Sequence, residues 1–154
     1  MPPARRTRAV SPDDISQCNK LWTAAHGFAR EGELRHSMER GAAAVLECDA
    51  QVTGYAAGIG VLCHAVGQTN EDLWRSVSHA PAFLGPGFFV PAKNAALLRW
   101  CLDSGFSIAW PANLMSIGEY QEPQLPFLPS LAFRRAESGS QEETVGVGSF
   151  APRL

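Results

Sequence analysis

The stretch Asn94-Ala95-Ala96-Leu97-Leu98-Arg99-Trp100-Cys101-Leu102-Asp103-Ser104-Gly105-Phe106 decides most about the fold of this 154-residue chain. It reads as one helix, because Leu97, Leu98, Cys101 and Leu102 recur at helical spacing and give an apolar face. Asn94 can accept from the free N–H groups of the first turn. Gly105 stands where a left-handed residue closes a helix. Beyond it, Phe106–Trp110 and Leu114–Ile117 read as strands separated by the turn-prone Pro111-Ala112-Asn113.

Outward from this helix, helical and extended patterns alternate. Ser11-Pro12-Asp13-Asp14 is a helix start, with Ser11 as N-cap and Pro12 at N1. Ile15, Cys18, Leu21, Trp22 and Ala25 continue it to about Gly27, and a second helix spans roughly Glu31 to Arg40. Ala43–Glu47 and Val52–Gly58 form a predicted antiparallel hairpin around Cys48-Asp49-Ala50-Gln51, with Ile59–Cys63 extended after it. Thr69 and Asp72 make a capping-box-like start for a helix to about His79. Phe88–Val90 reads as a short buried strand, and Ser130–Phe133 as a last one. The order predicts an α/β fold, a mixed sheet with helices on both faces.

Composition narrows the function classes. Thirteen Lys+Arg against fifteen Asp+Glu give a net charge of −2, without the basic surplus usual in nucleic-acid binders. No apolar run approaches the roughly 20 residues of a membrane span, and no signal peptide opens the sequence, so a cytoplasmic location is expected. Met1 to Arg8, with three arginines, reads as the core of a loose arm over residues 1–10. Residues 11–136 form the single predicted domain, and the Gly/Ser-rich residues 137–154 a flexible tail. Cys18, Cys48, Cys63 and Cys101 form no CxxC pair and lack a neighbouring His at zinc spacing, so no metal site is expected.

The Asn94–Phe106 stretch resembles the fourth-helix signature of the GNAT N-acetyltransferase superfamily, in which an Asn near the helix start is followed eleven and twelve residues later by Gly-Phe. With Gly85–Asn94 (GPGFFVPAKN) and Leu114–Pro123 (LMSIGEYQEP), residues 43–133 resemble the C-terminal half of tandem GNAT-like proteins. The resemblance implies a GNAT-like fold, a twisted mixed sheet flanked by helices and splayed to hold an acyl-CoA. It implies transfer of an acetyl group from acetyl-CoA, the co-substrate, to an amine acceptor that the sequence does not name. The alternative is a non-catalytic GNAT-like ligand-binding or assembly domain. Since this half acts beside another in the tandem proteins, a homodimer is expected, with the Pro81–Pro91 segment a candidate contact.

The resemblance also assigns candidate site residues. Cys63, Gly67 and Asn94 fall where the cofactor would lie, and Cys101 and His64 where catalysis would occur. Cys101 stands seven residues after Asn94, the offset at which the family often carries a general-acid Tyr. Core packing, proton donation and nucleophilic attack all remain open for it. His64 is a candidate base or a structural residue. Glu119 and Tyr120 are further substrate-side candidates. The family's pyrophosphate loop, Gln/Arg-x-x-Gly-x-Gly/Ala, corresponds to His64-Ala-Val-Gly-Gln-Thr-Asn-Glu-Asp72, which has one glycine and no basic lead residue. Glu71 and Asp72 would repel a pyrophosphate while favouring the helix dipole.

Overall fold

The computed structural model describes residues 4–115 and 117–131. In chain order they form β1 (Arg5–Ala9), a 3-10 turn (Pro12–Asp14), α1 (Ile15–His26), α2 (Glu31–Glu39), β2 (Ala44–Cys48), β3 (Gln51–Ala56), β4 (Ile59–Gly60), β5 (Ala65–Gly67), α3 (Asn70–Ser78), β6 (Phe83–Leu84), α4 (Ala95–Asp103) and β7 (Phe127–Leu128). The main sheet runs β1-β2-β3-β5-β7 and is antiparallel throughout. The expected mixture of directions is confined to a separate parallel pair, β4–β6. There a Cβ on Gly60 would sit 2.2 Å from the Leu84 carbonyl oxygen, so the two backbones meet only because residue 60 has no side chain.

Strand alternation sorts the core into two layers. Val45, Tyr55 and Val66 pack with Cys18, Leu21, Trp22 and Leu34 under α1 and α2. Ala56 and Ala65, one residue out of phase, pack with Leu73, Val77, Leu97 and Cys101 under α3 and α4. The sheet therefore carries helices on both faces. Asp49 and Ala50, at φ of 51° and 63°, form the two-residue hairpin turn whose backbone twist suits antiparallel strands.

The helix ends follow their sequence signals. Asn94 Oδ1 accepts from the Leu97 N–H at 3.2 Å. At the other end Gly105, with φ of +92°, lets the Phe106 N–H reach the Cys101 carbonyl and its own N–H reach that of Leu102.

Several expected elements are corrected. Arg5–Ala9, placed in a loose arm, is an edge strand paired in register with β2. The Arg8 guanidinium fixes it, meeting Asp14 at 2.6 and 2.8 Å and Glu47 at 2.6 and 2.9 Å. That pairing holds the Asp14 carboxyl far below the usual carboxylate range. Ile59–Cys63 is extended only at its first two residues. The short strand expected at Phe88–Val90 lies instead at Phe83–Leu84, while Phe88 and Val90 pack as loop residues against the second core layer. Phe106–Trp110 and 114–115 are irregular, because no neighbouring strand among the described residues pairs with them. The last described strand is Phe127–Leu128, short of the expected Ser130–Phe133, whose final two residues fall outside the described residues, as does the 137–154 tail.

Candidate functional site

The segment from Cys63 to Asp72 runs through β5 into the first turn of α3, and the backbone donors of Gly67, Gln68 and Thr69 are taken by the chain itself. Gly67 N–H donates to the Pro126 carbonyl at 3.0 Å, just ahead of β7, and Gln68 N–H donates to the Thr53 carbonyl at 2.8 Å. Thr69 N–H and its hydroxyl both reach Asp72 Oδ2 at 3.0 Å, and Asp72 Oδ1 accepts from the Thr53 hydroxyl at 2.9 Å. The Asp72 carboxylate thus sits against the N-cap residue of α3 and puts negative charge beside a helix start that would otherwise favour an anion. Gly67 makes the approach possible, since a Cβ there would lie 2.6 Å from Asp72 Cβ. Glu71, in the same turn, is paired with Arg5 of β1 at 2.8 Å.

His64 immediately precedes β5 and is fully buried. Its Nε2 lies 3.0 Å from the Tyr55 hydroxyl and its Nδ1 lies 3.0 Å from Glu33 Oε1. Glu33 also pairs with Arg30, whose guanidinium lies over the Trp22 ring, 5.4 Å from its centroid. Burial lowers the His64 pKa and outweighs the carboxylate's opposing pull, so the imidazole is neutral at pH 7. Burial pushes Tyr55 well above the ordinary phenol range, so its hydroxyl stays protonated. These two states assign the bonds: Tyr55 donates to Nε2, and Nδ1–H donates to Glu33. Burial raises the Glu33 carboxyl, but the hydrogen bonds from His64 and Arg30 and the Arg30 charge together bring it below its ordinary value. Carboxylate, imidazole and hydroxyl are thus lined up as in a nucleophile relay. The hydroxyl at its end, however, belongs to a Tyr55 that is 1% exposed. The relay ends inside the core, beside Trp22, whose ring stacks on His26 at 3.7 Å.

Cys101 lies on the other side of the sheet. It is buried among Leu73, Val77 and Leu97, and burial raises its thiol pKa. A thiol so placed holds its proton and packs as a small apolar group. The two catalytic candidates therefore belong to different core layers, and the structure does not bring them together.

The cofactor candidates are likewise held in the fold. Asn94, besides capping α4, exchanges two hydrogen bonds with Asn70 at 2.7 and 3.1 Å, tying the starts of α3 and α4 together. Cys63 is half-buried, its Sγ 3.1 Å from where a Cβ of Gly58 would lie, and burial raises its pKa. Glu119 and Tyr120 are exposed on irregular chain rather than at a strand end.

Sequence reasoning missed Glu33, Arg30 and Tyr55 as partners of His64. Tyr55 is two residues ahead of Ala57, whose N–H bonds the His64 carbonyl, so the β3–β5 pairing brings the two side chains together. Glu33 lies 31 residues away on α2, and no local pattern announces it. Among the described residues, no group of three or more His, Cys, Asp or Glu could hold a metal ion, and no helix is long and apolar enough to cross a membrane.

A shallow cavity of about 180 Å³ lies on the α3 side of the sheet, between Thr7, Arg40, Ala56, Ile59, His79 and Leu84. It is far smaller than the pockets of roughly 300–1,000 Å³ that enclose most small-molecule ligands.

No protein-family model matches the sequence, and no curated protein matches it. Among solved structures, the chain is similar to a point mutant of TTHA1254 from Thermus thermophilus. The two are 17% identical with a TM-score of 0.53, over 75% of this chain and 99% of that one. At this identity the likeness shows a shared fold.

Proposed function

We propose that this chain is a GNAT-like domain that does not run acyl-CoA chemistry and serves as a binding or assembly module. One observation carries the reading: the backbone donors of the Gly67–Thr69 loop are bonded to Pro126, Thr53 and Asp72. A pyrophosphate arriving there would have to displace a carboxylate and break the β5–β7 edge. Replacing one charge-assisted hydrogen bond already costs about 1.5–3 kcal/mol. The irregular chain around Pro126 adds to this, because it occupies the edge of β5 along which an extended ligand would have to pair.

The competing reading, an acetyl-CoA-dependent N-acetyltransferase acting on an amine, draws support from the α4 stretch with its Gly105-Phe106 exit. It would need a proton donor other than Cys101 and a base other than His64, both of which are enclosed.

Calorimetric titration with acetyl-CoA separates the two. No heat up to millimolar ligand is the expected result. A dissociation constant tighter than about 100 μM, near 5.5 kcal/mol of binding free energy, would establish the acetyltransferase reading instead.

A further inference from the structure

The small cavity on the α3 side of the sheet follows from the strand register. Ala44 of β2 and Ala56 of β3 are directly paired, and both line it. Residues opposite each other on adjacent strands share a face, so two methyl groups stand together under the helix layer. The next pair along, Val45 with Tyr55, faces the other way and is bulky enough to fill its side of the sheet. The Pro81–Pro91 segment supplies another wall of the cavity through Pro81, Ala82 and Leu84. The parallel β4–β6 pair and the stack of Phe83 on Phe88, 5.8 Å between centroids, hold that wall in place.

Volume, lining and charge each describe a guest. The cavity encloses about 180 Å³. An apolar cavity of roughly 150 Å³ takes a benzene ring, so this one admits about six or seven non-hydrogen atoms. Its floor is apolar. Its ionisable lining residues are Arg40 and His79, and no Asp or Glu lines it, although the chain has fifteen. His79 Nδ1 is engaged by the Arg75 carbonyl at 2.9 Å. Arg40, exposed at the close of α2, makes no ion pair with any described residue. The helix end beside it is C-terminal, but the carbonyls of His36, Ser37 and Met38 are bonded to the N–H groups of Arg40, Ala42 and Gly41. The guanidinium therefore sets the local charge, about one unit against the half unit of a bare helix end. Thr7 also lines the cavity, and its enclosed hydroxyl has no hydrogen-bond partner. A guest with an acceptor would meet that unpaired group.

We propose that this cavity binds a short-chain carboxylate of the size of butyrate or isovalerate, its aliphatic part over Ala44 and Ala56 and its carboxylate at the mouth on Arg40. A smaller acid would leave the floor empty, and a longer one would leave its chain in water. An amine would be repelled by Arg40. The inference rests on the binding-module reading and names its ligand class. A null result with the carboxylate leaves the acetyl-CoA titration untouched. Acetyl-CoA binding at the Gly67–Thr69 loop would overturn the module reading without filling this cavity.

Sodium isovalerate, titrated into the isotope-labelled full chain against sodium chloride at equal ionic strength, should give saturable amide shifts at Ala44, Ala56 and Ala80. The expected Kd is about 1 mM, within reach of so few atoms. Arg40→Gln, at an exposed position, should weaken binding about tenfold, the loss of one charge-assisted hydrogen bond, and leave the Tm unchanged. Isovaleramide, of the same size without the charge, should bind the wild-type chain about tenfold more weakly for the same reason. Ala44→Ile should fill the floor and abolish the shifts. The proposal is overturned by no saturable shift up to about 50 mM. Equal affinity in Arg40→Gln, or equal binding of isovaleramide, overturns it as well.

Discussion

The Tyr55 hydroxyl and His64 Nε2 lie 3.0 Å apart with both side chains almost fully enclosed, so each satisfies a polar atom that water cannot reach. Tyr55→Phe removes the donor and leaves the imidazole nitrogen buried without a partner. The expected loss is about 1–3 kcal/mol in urea denaturation, with an unchanged m-value. A variant as stable as the wild type would show that the ring nitrogen finds another donor.

Acid should weaken the fold before the carboxylates titrate. His26, 3% exposed, has its pKa lowered by burial to about 4, and His64 is lowered by the same cause. The folded protein keeps both imidazoles neutral while the unfolded chain protonates them near pH 6.5. The unfolded state therefore binds more protons, and stability falls as pH drops from about 6.5 toward 4. For His26 alone the total is of order 3 kcal/mol by linkage. Asp14, held down by Arg8, adds its own loss only as pH falls below the ordinary 3.8. Thermal melts between pH 7.5 and 4.5 should show a falling Tm, and His26→Phe should flatten that slope. A flat wild-type profile would contradict buried neutral histidines.

Cys101 should behave as packing material. Cys101→Ala is expected to lower stability by about 1–2 kcal/mol, in the lower part of the range for buried large-to-small changes. It should leave the number of thiols that react with an aromatic disulfide reagent in the native protein unchanged. Cys18, fully buried with its pKa pushed up to about 12, should be equally silent until denaturant is added. A native thiol count that drops by one in Cys101→Ala would restore Cys101 as a reactive group.

At the start of α3, Gly67 and Asp72 are expected to be coupled through sterics rather than charge. Gly67→Ala places a Cβ 2.6 Å from Asp72 Cβ and 3.1 Å from the Thr69 carbonyl oxygen, and should cost about 1–3 kcal/mol. Asp72→Ala also costs about 1–3 kcal/mol by losing the carboxylate that accepts from Thr69 and Thr53. It keeps its own Cβ, so the double variant gains no relief, whereas Asp72→Gly should relieve part of the Gly67→Ala penalty. A double-mutant cycle on thermal unfolding measures this directly.

Features set by neighbours in the chain were readable from sequence. Thr69 with Asp72, Asn94 with Leu97, and Gly105 closing α4 depend on offsets of three to five residues, and all appear as hydrogen bonds. Features set by distant partners were not. Arg5–Ala9 is polar and arginine-rich, which looks like an unstructured arm until Glu47 and Asp14 are seen around Arg8. Phe106–Trp110 has the alternation of a strand, but alternation records only what a segment could bury, not whether a neighbour stands beside it. The placing of His64 and Cys101 in different layers follows from a one-residue phase on β3 and β5, visible only once their register is known.

The strand that completes the main sheet, Phe127–Leu128, comes last among the described elements, whereas its partner β5 ends at Gly67. During synthesis the first four strands of that sheet and both early helices can assemble while β5 still lacks its outer neighbour. The Gly67 N–H then waits for the Pro126 carbonyl, which the ribosome adds only after α4 and the apolar 106–117 run have been synthesised. At roughly 5–20 residues per second that interval lasts several seconds. For that time the nascent chain presents an open strand edge, joined in the last part of the interval by the uncovered apolar stretch, a combination prone to wrong pairing with a neighbouring chain. The closing of β5 therefore waits on the last described strand, and the edge stays open until that strand is made.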